Sequence, residues 1–175
     1  AKALCVQRNV ILCSSNYELY ADLSAKMMAI IGRFAPEQHV YSIDESFLSF
    51  KHSYPAIKCL YTQGQLIRRA VWKEARLAVC VGMGQTLTLA KIANHAAKKI
   101  PGYKGVCVID TAHQRNDILR QLAVKEVWGI GRRISKKLEL MNIRSAYDLA
   151  SMPPSLARKQ FSIEIERTVR ELNGE

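Results

Sequence analysis

Residues 40–50, VYSIDESFLSF, set two carboxylates, Asp44 and Glu45, side by side between two runs of alternating apolar residues. In a regular strand, consecutive side chains point to opposite faces of the sheet, so an acidic pair inside a strand would direct one carboxylate toward the core. The pattern therefore predicts two strands, residues 39–43 and 46–50, folded back on each other with the acidic pair at the tip. Because the pleat breaks at a turn, both carboxylates can project to one side there.

Two carboxylates at one turn are oxygen ligands of the kind that Mg²⁺ prefers. Two such ions, about 3.5–4 Å apart, stabilise the attacking and leaving oxygens in many phosphoryl-transfer enzymes. A solvated turn is the alternative, because Asp is a common turn residue and a neighbouring Glu costs nothing. The pair alone leaves both interpretations open.

The amino-acid composition is that of an ordinary globular protein, 49% hydrophobic and 23% charged over 175 residues,. This length accommodates one large domain, or a core domain with a small one. No apolar stretch is long enough to span a bilayer and the start does not resemble a signal peptide, so we expect a cytoplasmic protein without membrane contact. The chain opens with AKALCVQRNVILC and no initiating Met, which suggests a piece of a longer protein.

The net charge of +11 comes from 26 Lys and Arg against 15 Asp and Glu. Between residues 91 and 137 there are 11 basic side chains and only three acids, Asp110, Asp117 and Glu126, so this stretch alone carries +8. A solvated helix face usually mixes the two signs more evenly. The distribution therefore favours a polyanionic partner, and specifically nucleic acid.

The five cysteines form no CxxC pair and sit among apolar residues, and the four histidines are scattered singly. This pattern predicts reduced, buried cysteines and argues against a disulfide framework or a zinc site. The cysteines are Cys5, Cys13, Cys59, Cys80 and Cys107.

Hydrophobic periodicity predicts strand, helix, hairpin, helix, strand, helix, strand and helix, in that order, up to about residue 121,. Outside the hairpin, the strands are residues 9–13, 77–82 and 105–110, and the helices begin near residues 14–16, 55, 86 and 111. We therefore expect an α+β fold with helices on a mixed sheet. Beyond Val124 only short helices and tight turns remain, which places a domain boundary near residues 121–126.

The stretch VWGIGRRISKKL, residues 127–138, is typical of the start of the second helix in a helix-hairpin-helix. Gly129 and Gly131 let the backbone approach a phosphate, which the free amides of a helix N-terminus then bind. Four basic residues follow and add salt-sensitive contacts that do not depend on base sequence: Arg132, Arg133, Lys136 and Lys137,. An ordinary helix-helix turn with glycine caps is the weaker alternative, because the charge is so concentrated.

The turn Gly82-Met83-Gly84 also resembles a phosphate cradle, but close packing between a strand and the following helix explains its glycines better. Lys98 and Lys99, near the end of that helix, either reach an anion or complement the helix dipole.

Four segments in this order closely resemble the Y-family translesion DNA polymerases: SSNYELYADLS, YSIDESF, GQTLTLAKIANHAAKK and VWGIGRRISKKL. The UmuC type, the catalytic subunit of bacterial DNA polymerase V, is the most similar, from about residue 2 to residue 175. The resemblance implies an error-prone polymerase of the SOS response to DNA damage. It also implies an incomplete palm, with a remnant of the fingers, over residues 1–121, and a small all-α thumb with a helix-hairpin-helix over residues 122–175.

By the same resemblance, Asp44 and Glu45 are catalytic carboxylates that hold Mg²⁺, and Ser42 supports their turn. Lys98 touches the triphosphate of the incoming dNTP. Gly129, Gly131 and the basic residues after them grip the backbone of primer-template DNA. The family further implies a processed UmuD dimer, a recombinase filament and a sliding clamp as partners.

The sequence departs from the family pattern in several ways. In the family, one N-terminal segment carries the first metal-binding aspartate, the residue that excludes ribonucleotides, and the Tyr and Arg of the fingers that bind the triphosphate. By the resemblance, that segment would precede residue 1, and the little finger would follow residue 175. Leu87 stands where a lysine is usual, and Asn142 replaces a glycine, a mild exchange because Asn tolerates a left-handed turn. We therefore expect this stretch alone to be inactive or nearly so, which templated extension by it would contradict.

Two other functions stay open on the sequence. One is a non-catalytic DNA-binding module that uses only the basic hairpin. The other is a different two-metal enzyme on a similar palm, such as a nucleotide cyclase, although a cyclase has no need of a duplex-binding hairpin.

Overall fold

The computed structural model describes residues 7, 8, 10, 11, 13–53 and 56–175. The chain divides into two compact units, Ala1–Lys51 and His52–Glu175. The boundary expected near residues 121–126 thus lies inside the second unit, and the division into residues 1–121 and 122–175 stays a prediction.

The first unit begins with helix α1, Tyr17–Gly32. Its N-cap is Asn16, whose side-chain Oδ1 accepts the N–H of Leu19 at 3.1 Å, so the predicted capping at residues 14–16 is confirmed,. The helix buries Met27, Met28 and Ile30.

The predicted hairpin follows, with strand β1, Glu37–Val40, antiparallel to strand β2, Ser46–Ser49. Both strands are shorter than expected, because the N–H groups of Tyr41 and Ser42 each donate to the carbonyl of Glu45 at 3.0 Å. These two bonds turn the chain early, so residues 41–45 form a loop instead of extending β1 to residue 43.

The Gln38 side chain ties this hairpin to α1. Its Nε2 donates to the Met28 carbonyl at 3.0 Å and lies 3.3 Å from the Ser46 hydroxyl oxygen. A Cβ on Gly32 would meet the end of the Gln38 side chain, which would have to shift.

The second unit contains the remaining elements. Its first part comprises α2 (Leu60–Ala75), β3 (Val81–Met83), α3 (Leu87–Lys99), β4 (Val106–Val108) and α4 (Ala112–Gln121). A turn of 3-10 helix, Val124–Glu126, leads into α5 (Arg132–Leu140), α6 (Ala146–Ala150), α7 (Pro154–Gln160) and α8 (Ile163–Leu172). The predicted helix starts at Thr86 and Thr111 are confirmed as N-caps. The helix expected from residue 55, which is itself outside the described residues, begins only at Leu60.

The expectation of one mixed sheet is wrong for the described residues, whose strands form two separate two-stranded sheets. β1 and β2 pair antiparallel in the first unit, and β3 and β4 pair parallel in the second. Part of the strand predicted over residues 9–13 lies outside the described residues. Its described members, residues 10, 11 and 13, belong to neither sheet. The fold is therefore mostly helical, with two small sheets.

Strand β3, helix α3 and strand β4 form a β-α-β unit with very close packing at Gly82. A Cβ there would overlap the backbone of Ala90 and Asn94 on α3, and a Cβ on Gly84 would lie 2.7 Å from the Leu89 Cβ. The Asn94 side chain also donates to the Cys80 carbonyl at 2.8 Å. Close helix-strand packing is therefore the reason for both glycines, as predicted.

Helices α2 and α3 lie on opposite faces of the β3–β4 sheet. A Cβ on Gly64 of α2 would meet the side chains of Val106 and Met83, whereas Gly82, next to Met83, faces α3. Successive residues of a strand alternate between the two faces, so α2 covers one face and α3 the other.

The main hydrophobic core lies on the α3 side of this sheet and is continuous from α3 to α8. The largest side chains that are fully buried in it are Leu89, Ile92, Ile118, Leu119, Leu138, Leu149 and Leu172. The last helix also closes the start of α3, because the Glu171 carboxylate accepts the N–H of Thr88 at 2.9 Å and the Thr86 hydroxyl donates to the Glu171 carbonyl at 2.8 Å.

The cysteines only partly follow the prediction. Cys107 is buried, and this burial raises the pKa of its thiol to about 11. Cys13 and Cys59 are exposed, contrary to expectation, and Cys5 lies outside the described residues. Among the described helices, none is both long and apolar enough to cross a membrane.

Gly82→Ala should destabilise the fold, because the added methyl group forces α3 away from β3. We expect a loss of about 1–3 kcal/mol in the free energy of unfolding, measured by urea denaturation. Gly131→Ala is the matched control, because its φ of −75° suits any residue and no atom lies within 4 Å of its Cβ position. Equal stability of Gly82→Ala and the wild type would contradict this packing.

Asp148→Ala should lower stability in a pH-dependent way. The Asp148 carboxylate accepts the N–H groups of Ser145 and Arg144 at 2.9 and 3.0 Å, and these bonds, that from Ser145 first, lower the pKa of this carboxyl group. A carboxyl group whose pKa is lowered by folding stabilises the folded state at pH values above its unfolded pKa of about 3.9. This stabilisation is lost as the pH falls below that value. We expect a deficit of about 1 kcal/mol at pH 7 that narrows below about pH 4. A deficit that stayed constant from pH 7 to pH 2 would contradict this role.

Candidate active site and nucleic-acid interface

The acidic pair lies in the loop between β1 and β2, as predicted. Besides the two bonds to the Glu45 carbonyl, the loop is held by Ser42, whose hydroxyl donates to Asp44 Oδ1 at 2.8 Å. The N–H of Asp44 lies 3.4 Å from the same hydroxyl oxygen. The expectation that Ser42 supports the turn is therefore confirmed, and Asp44 is held in place by its own loop.

The two carboxylates differ in exposure: Asp44 is exposed and Glu45 half-buried. Both belong to the loop and neither to a strand, so the alternation of a pleated strand does not force them to opposite faces. The Tyr41 and Phe47 rings meet edge to face beside them, with centroids 5.8 Å apart, and brace the base of the loop,.

The chemistry of this pair suits a magnesium ion. Mg²⁺ takes carboxylate oxygens and usually keeps several waters, so one or two protein carboxylates suffice at a substrate-binding site. Within the described residues, no three His, Cys, Asp or Glu side chains lie close enough to share a metal ion. Asp44 and Glu45 thus fit Mg²⁺ as a partial set of ligands, which waters or a phosphate substrate would complete.

The basic hairpin belongs to the second unit. Val127 and Ile130 are buried, and the Ile130 N–H donates to the Val127 carbonyl at 3.0 Å, which makes a tight turn around Trp128 and Gly129. Gly129 has a φ of +85°, in the left-handed region that glycine adopts without strain,. The turn therefore requires glycine at position 129, but not at position 131.

Helix α5 begins directly after this turn with an open N-terminus. Its N-cap is Gly131, which supplies no side chain to satisfy the first amides of the helix,. No atom lies within 4 Å of the Cβ position of either Gly129 or Gly131. The amides of the first turn, at the positive end of the helix dipole, are thus accessible to an anion such as a phosphate.

The four predicted basic residues are all exposed on α5, but they are not equivalent. The Lys137 ammonium group donates to the Gln160 carbonyl and lies 4.6 Å from the centroid of the Phe161 ring. Lys137 therefore closes the end of α7, which leaves Arg132, Arg133 and Lys136 as the stronger candidates for phosphate contacts.

The hairpin is attached to α3 by residues that the sequence analysis missed. The Lys91 ammonium lies 5.7 Å from the Trp128 ring centroid, within the range of a cation–π contact,. The Nδ1 of His95, one turn further along α3, lies 3.8 Å from the Glu126 carboxylate. No sequence spacing could have revealed these contacts, because the partners are more than 30 positions apart.

Lys98 lies in the last turn of α3 and is exposed, as is Lys99. It is seven residues beyond Lys91, about 10 Å along the helix axis. Both lysines are at the negative end of the α3 dipole, which they complement. This arrangement leaves a contact between Lys98 and a nucleotide as a prediction.

The structure has the fold of about half of each of two solved DNA polymerase chains. It matches a ternary complex of Dbh DNA polymerase with a TM-score of 0.77 at 23% sequence identity, over 99% of this chain and 50% of that one. It matches DinB from Sulfolobus solfataricus with a TM-score of 0.74 at 24% identity, over 98% of this chain and 49% of that one.

The chain belongs to the impB/mucB/samB family, which residues 1–95 match. It is 43% identical over 171 residues to the protein UmuC of Salmonella typhimurium and 41% identical over 169 residues to the protein MucB of Escherichia coli. In both comparisons 97% of this chain is covered, but only 40% of the relative. The resemblance to UmuC-type polymerases is confirmed, for a chain that spans about 40% of the length of these relatives.

Arg132→Ala should weaken binding of a short DNA duplex by this chain and reduce its salt dependence. If Arg132 neutralises one phosphate, the slope of log affinity against log salt concentration should fall by about 0.9. Fluorescence anisotropy over a series of salt concentrations measures both quantities. Lys159→Ala, at an exposed position of α7, is the control of equal charge change.

Lys137→Ala should behave differently from Arg132→Ala, since its ammonium group is held by Gln160 and Phe161. We expect Lys137→Ala to lower the melting temperature of the protein but to leave the slope of log affinity against log salt concentration nearly unchanged. Equal losses of salt slope in Arg132→Ala, Lys137→Ala and Lys159→Ala would contradict a specific phosphate site at the hairpin.

Proposed function

We propose that this chain supplies the metal-binding loop and the DNA-binding hairpin of an error-prone, translesion DNA polymerase of the UmuC type. The observation that carries the proposal is the loop of residues 41–45, in which Ser42 holds one of two adjacent carboxylates, in a chain of the impB/mucB/samB family.

In this proposal Asp44 and Glu45 would hold Mg²⁺, and the bound ion would supply a Lewis acid for the primer 3′-hydroxyl and positive charge opposite the triphosphate of the incoming dNTP. The chain's own contribution is positioning. The Ser42 hydroxyl and the amides of residues 41 and 42 keep the loop in one conformation, so the carboxylates need no reordering when the metal and substrate arrive.

The hairpin would bind the backbone of primer-template DNA. The amides at the start of α5 receive one phosphate, and Arg132, Arg133 and Lys136 contribute charge around it. These contacts read no base, which suits a polymerase that must accept any template, including a damaged one. Lys98 is proposed as a contact of the triphosphate.

The finer assignments also belong to this proposal. The domains are an incomplete palm with a remnant of the fingers over residues 1–121 and a thumb with a helix-hairpin-helix over residues 122–175. The cellular role is in the SOS response. The partners are a processed UmuD dimer, a recombinase filament and a sliding clamp. They rest on the family, of which this chain covers about 40% of the length of the relatives compared.

The test is a chimaera in which this chain replaces the matching 171 residues of the Salmonella typhimurium UmuC. We expect Mg²⁺-dependent primer extension that falls by at least about a hundredfold in Asp44→Ala, because a metal ligand is lost. Glu164→Gln, which neutralises an exposed carboxylate of α8, is the control and should extend normally.

A DNA-binding module without catalysis predicts another result. In that case Arg132→Ala would lower DNA affinity, but Asp44→Ala would change no metal-dependent property. Extension by the chimaera that survives Asp44→Ala would overturn the role proposed for the carboxylate pair.

A further inference from the structure

The outward side of α2 carries an unusual set of exposed side chains. We call it the α2 face, and it consists of Tyr61, Leu66, Arg69, Trp72, Lys73 and Arg76. Trp72 is 53% exposed, Leu66 45% and Tyr61 44%, although the other side of the same helix buries Gly64, Ile67 and Val71. On a helix with 3.6 residues per turn these six positions lie along one side.

The aromatic side chains of the α2 face are held in place by polar neighbours. The Gln65 amide donates to the Tyr61 hydroxyl at 3.1 Å, and Arg68 Nη1 donates in turn to Gln65 Oε1 at 3.3 Å. The Arg76 guanidinium lies 6.0 Å from the centroid of the Trp72 ring. Both rings thus have polar contacts on α2 or at its end while they remain exposed.

Arg76 ends α2 in a conformation that favours glycine. Its φ is +56°, in the left-handed region, and its N–H donates to the Trp72 carbonyl at 3.1 Å. Glycine is the usual residue at such a helix end because a side chain there is strained. At this helix end the Arg76 side chain lies near the Trp72 ring and adds a cation to the α2 face.

The α2 face is basic and carries no acid. Arg69, Lys73 and Arg76 belong to it, and the single acidic residue of α2, Glu74, lies about 160° around the helix from Trp72,. Trp, Tyr and Arg are the residues enriched where partner proteins dock. This composition suits an acidic segment that also carries an apolar anchor.

The position of the α2 face separates it from the candidate DNA-binding hairpin. The hairpin is attached to α3 through Lys91 and Trp128, and α2 lies across the β3–β4 sheet from α3. At about 10 Å for each packed layer, the axes of α2 and α3 are about 20 Å apart. DNA held at the hairpin therefore lies on the other side of the sheet from the α2 face.

We infer that the α2 face is a docking site for an acidic segment of a partner protein, whose apolar side chain packs on Trp72 and Leu66 while its carboxylates meet Arg69, Lys73 and Arg76. This inference goes beyond the proposed polymerase function and does not require it.

The test uses this chain and a fluorescein-labelled short peptide of Asp and Glu with a central Leu-Phe pair. A matched peptide carries Ser-Ser in place of Leu-Phe, and single-stranded oligo(dT) serves as the nucleic-acid probe. We expect the Leu-Phe peptide to bind at least about tenfold more tightly than the Ser-Ser peptide, by fluorescence anisotropy.

Two substitutions separate binding from folding. Trp72→Ala should weaken the Leu-Phe peptide at least about tenfold. Arg76→Gly should weaken it too, yet leave the melting temperature unchanged or higher, because glycine relieves the strain at φ +56°,. Lys159→Ala, which removes the same charge elsewhere, should change neither quantity.

Several results would overturn the inference. Equal affinity for the Leu-Phe and Ser-Ser peptides would mean that only net charge is sensed. Loss of oligo(dT) binding in Trp72→Ala, with peptide binding intact, would assign the α2 face to nucleic acid. Self-association in sedimentation experiments that disappears in Trp72→Ala would make a second copy of the chain the occupant.

Discussion

The second unit depends on the contact between Gly82 and the backbone of α3. Because position 82 has no side chain, α3 lies directly on β3 and can be shared between the sheet and the helices that follow. The same helix carries Lys91 and His95, to which the hairpin is attached, and its N-terminus is closed by Glu171 of α8. The open start of α5 is therefore placed by a helix that lies about 40 residues earlier in the chain, and its position depends on that packing.

The loop of residues 41–45 is built differently, by hydrogen bonds between near neighbours in the chain. The ladder between β1 and β2 sets its ends, and three groups of residues 41 and 42 set its interior. Because these bonds join residues close together in the chain, the hairpin and its acidic loop could be predicted from residues 40–50. The early end of β1 was missed, because alternation of apolar residues continues through Ile43 although the backbone bonds to Glu45 already turn the chain at Tyr41.

The positive charge has two different uses that composition cannot separate. Arg68 donates to the Val79 and Lys104 carbonyls at 2.8 Å each, and Arg115 donates to the Asn173 carbonyl at 2.6 Å. Arg68 thus joins the segments that lead into β3 and β4, and Arg115 binds the end of α8, as Lys137 binds the end of α7. Some of the cations behind the net charge of +11 are therefore engaged with carbonyl groups of the protein itself. In residues 91–137, which carry +8, Arg115 and Lys137 are of this kind.

The sequence by itself determined the helix starts at Asn16, Thr86 and Thr111, the hairpin with its acidic tip, the glycine turn before α5 and the family. Each of these depends on neighbours within a few positions, such as the side chain of Asn16 and the left-handed turn at Gly129 and Asn142. Only the tertiary structure decided that the strands form two sheets, that Lys137 serves α7, and that α2 turns a basic, aromatic face away from α3. These features arise from contacts between residues far apart in the chain, where packing and the loss of backbone bonds to water decide the outcome and local pattern carries no signal.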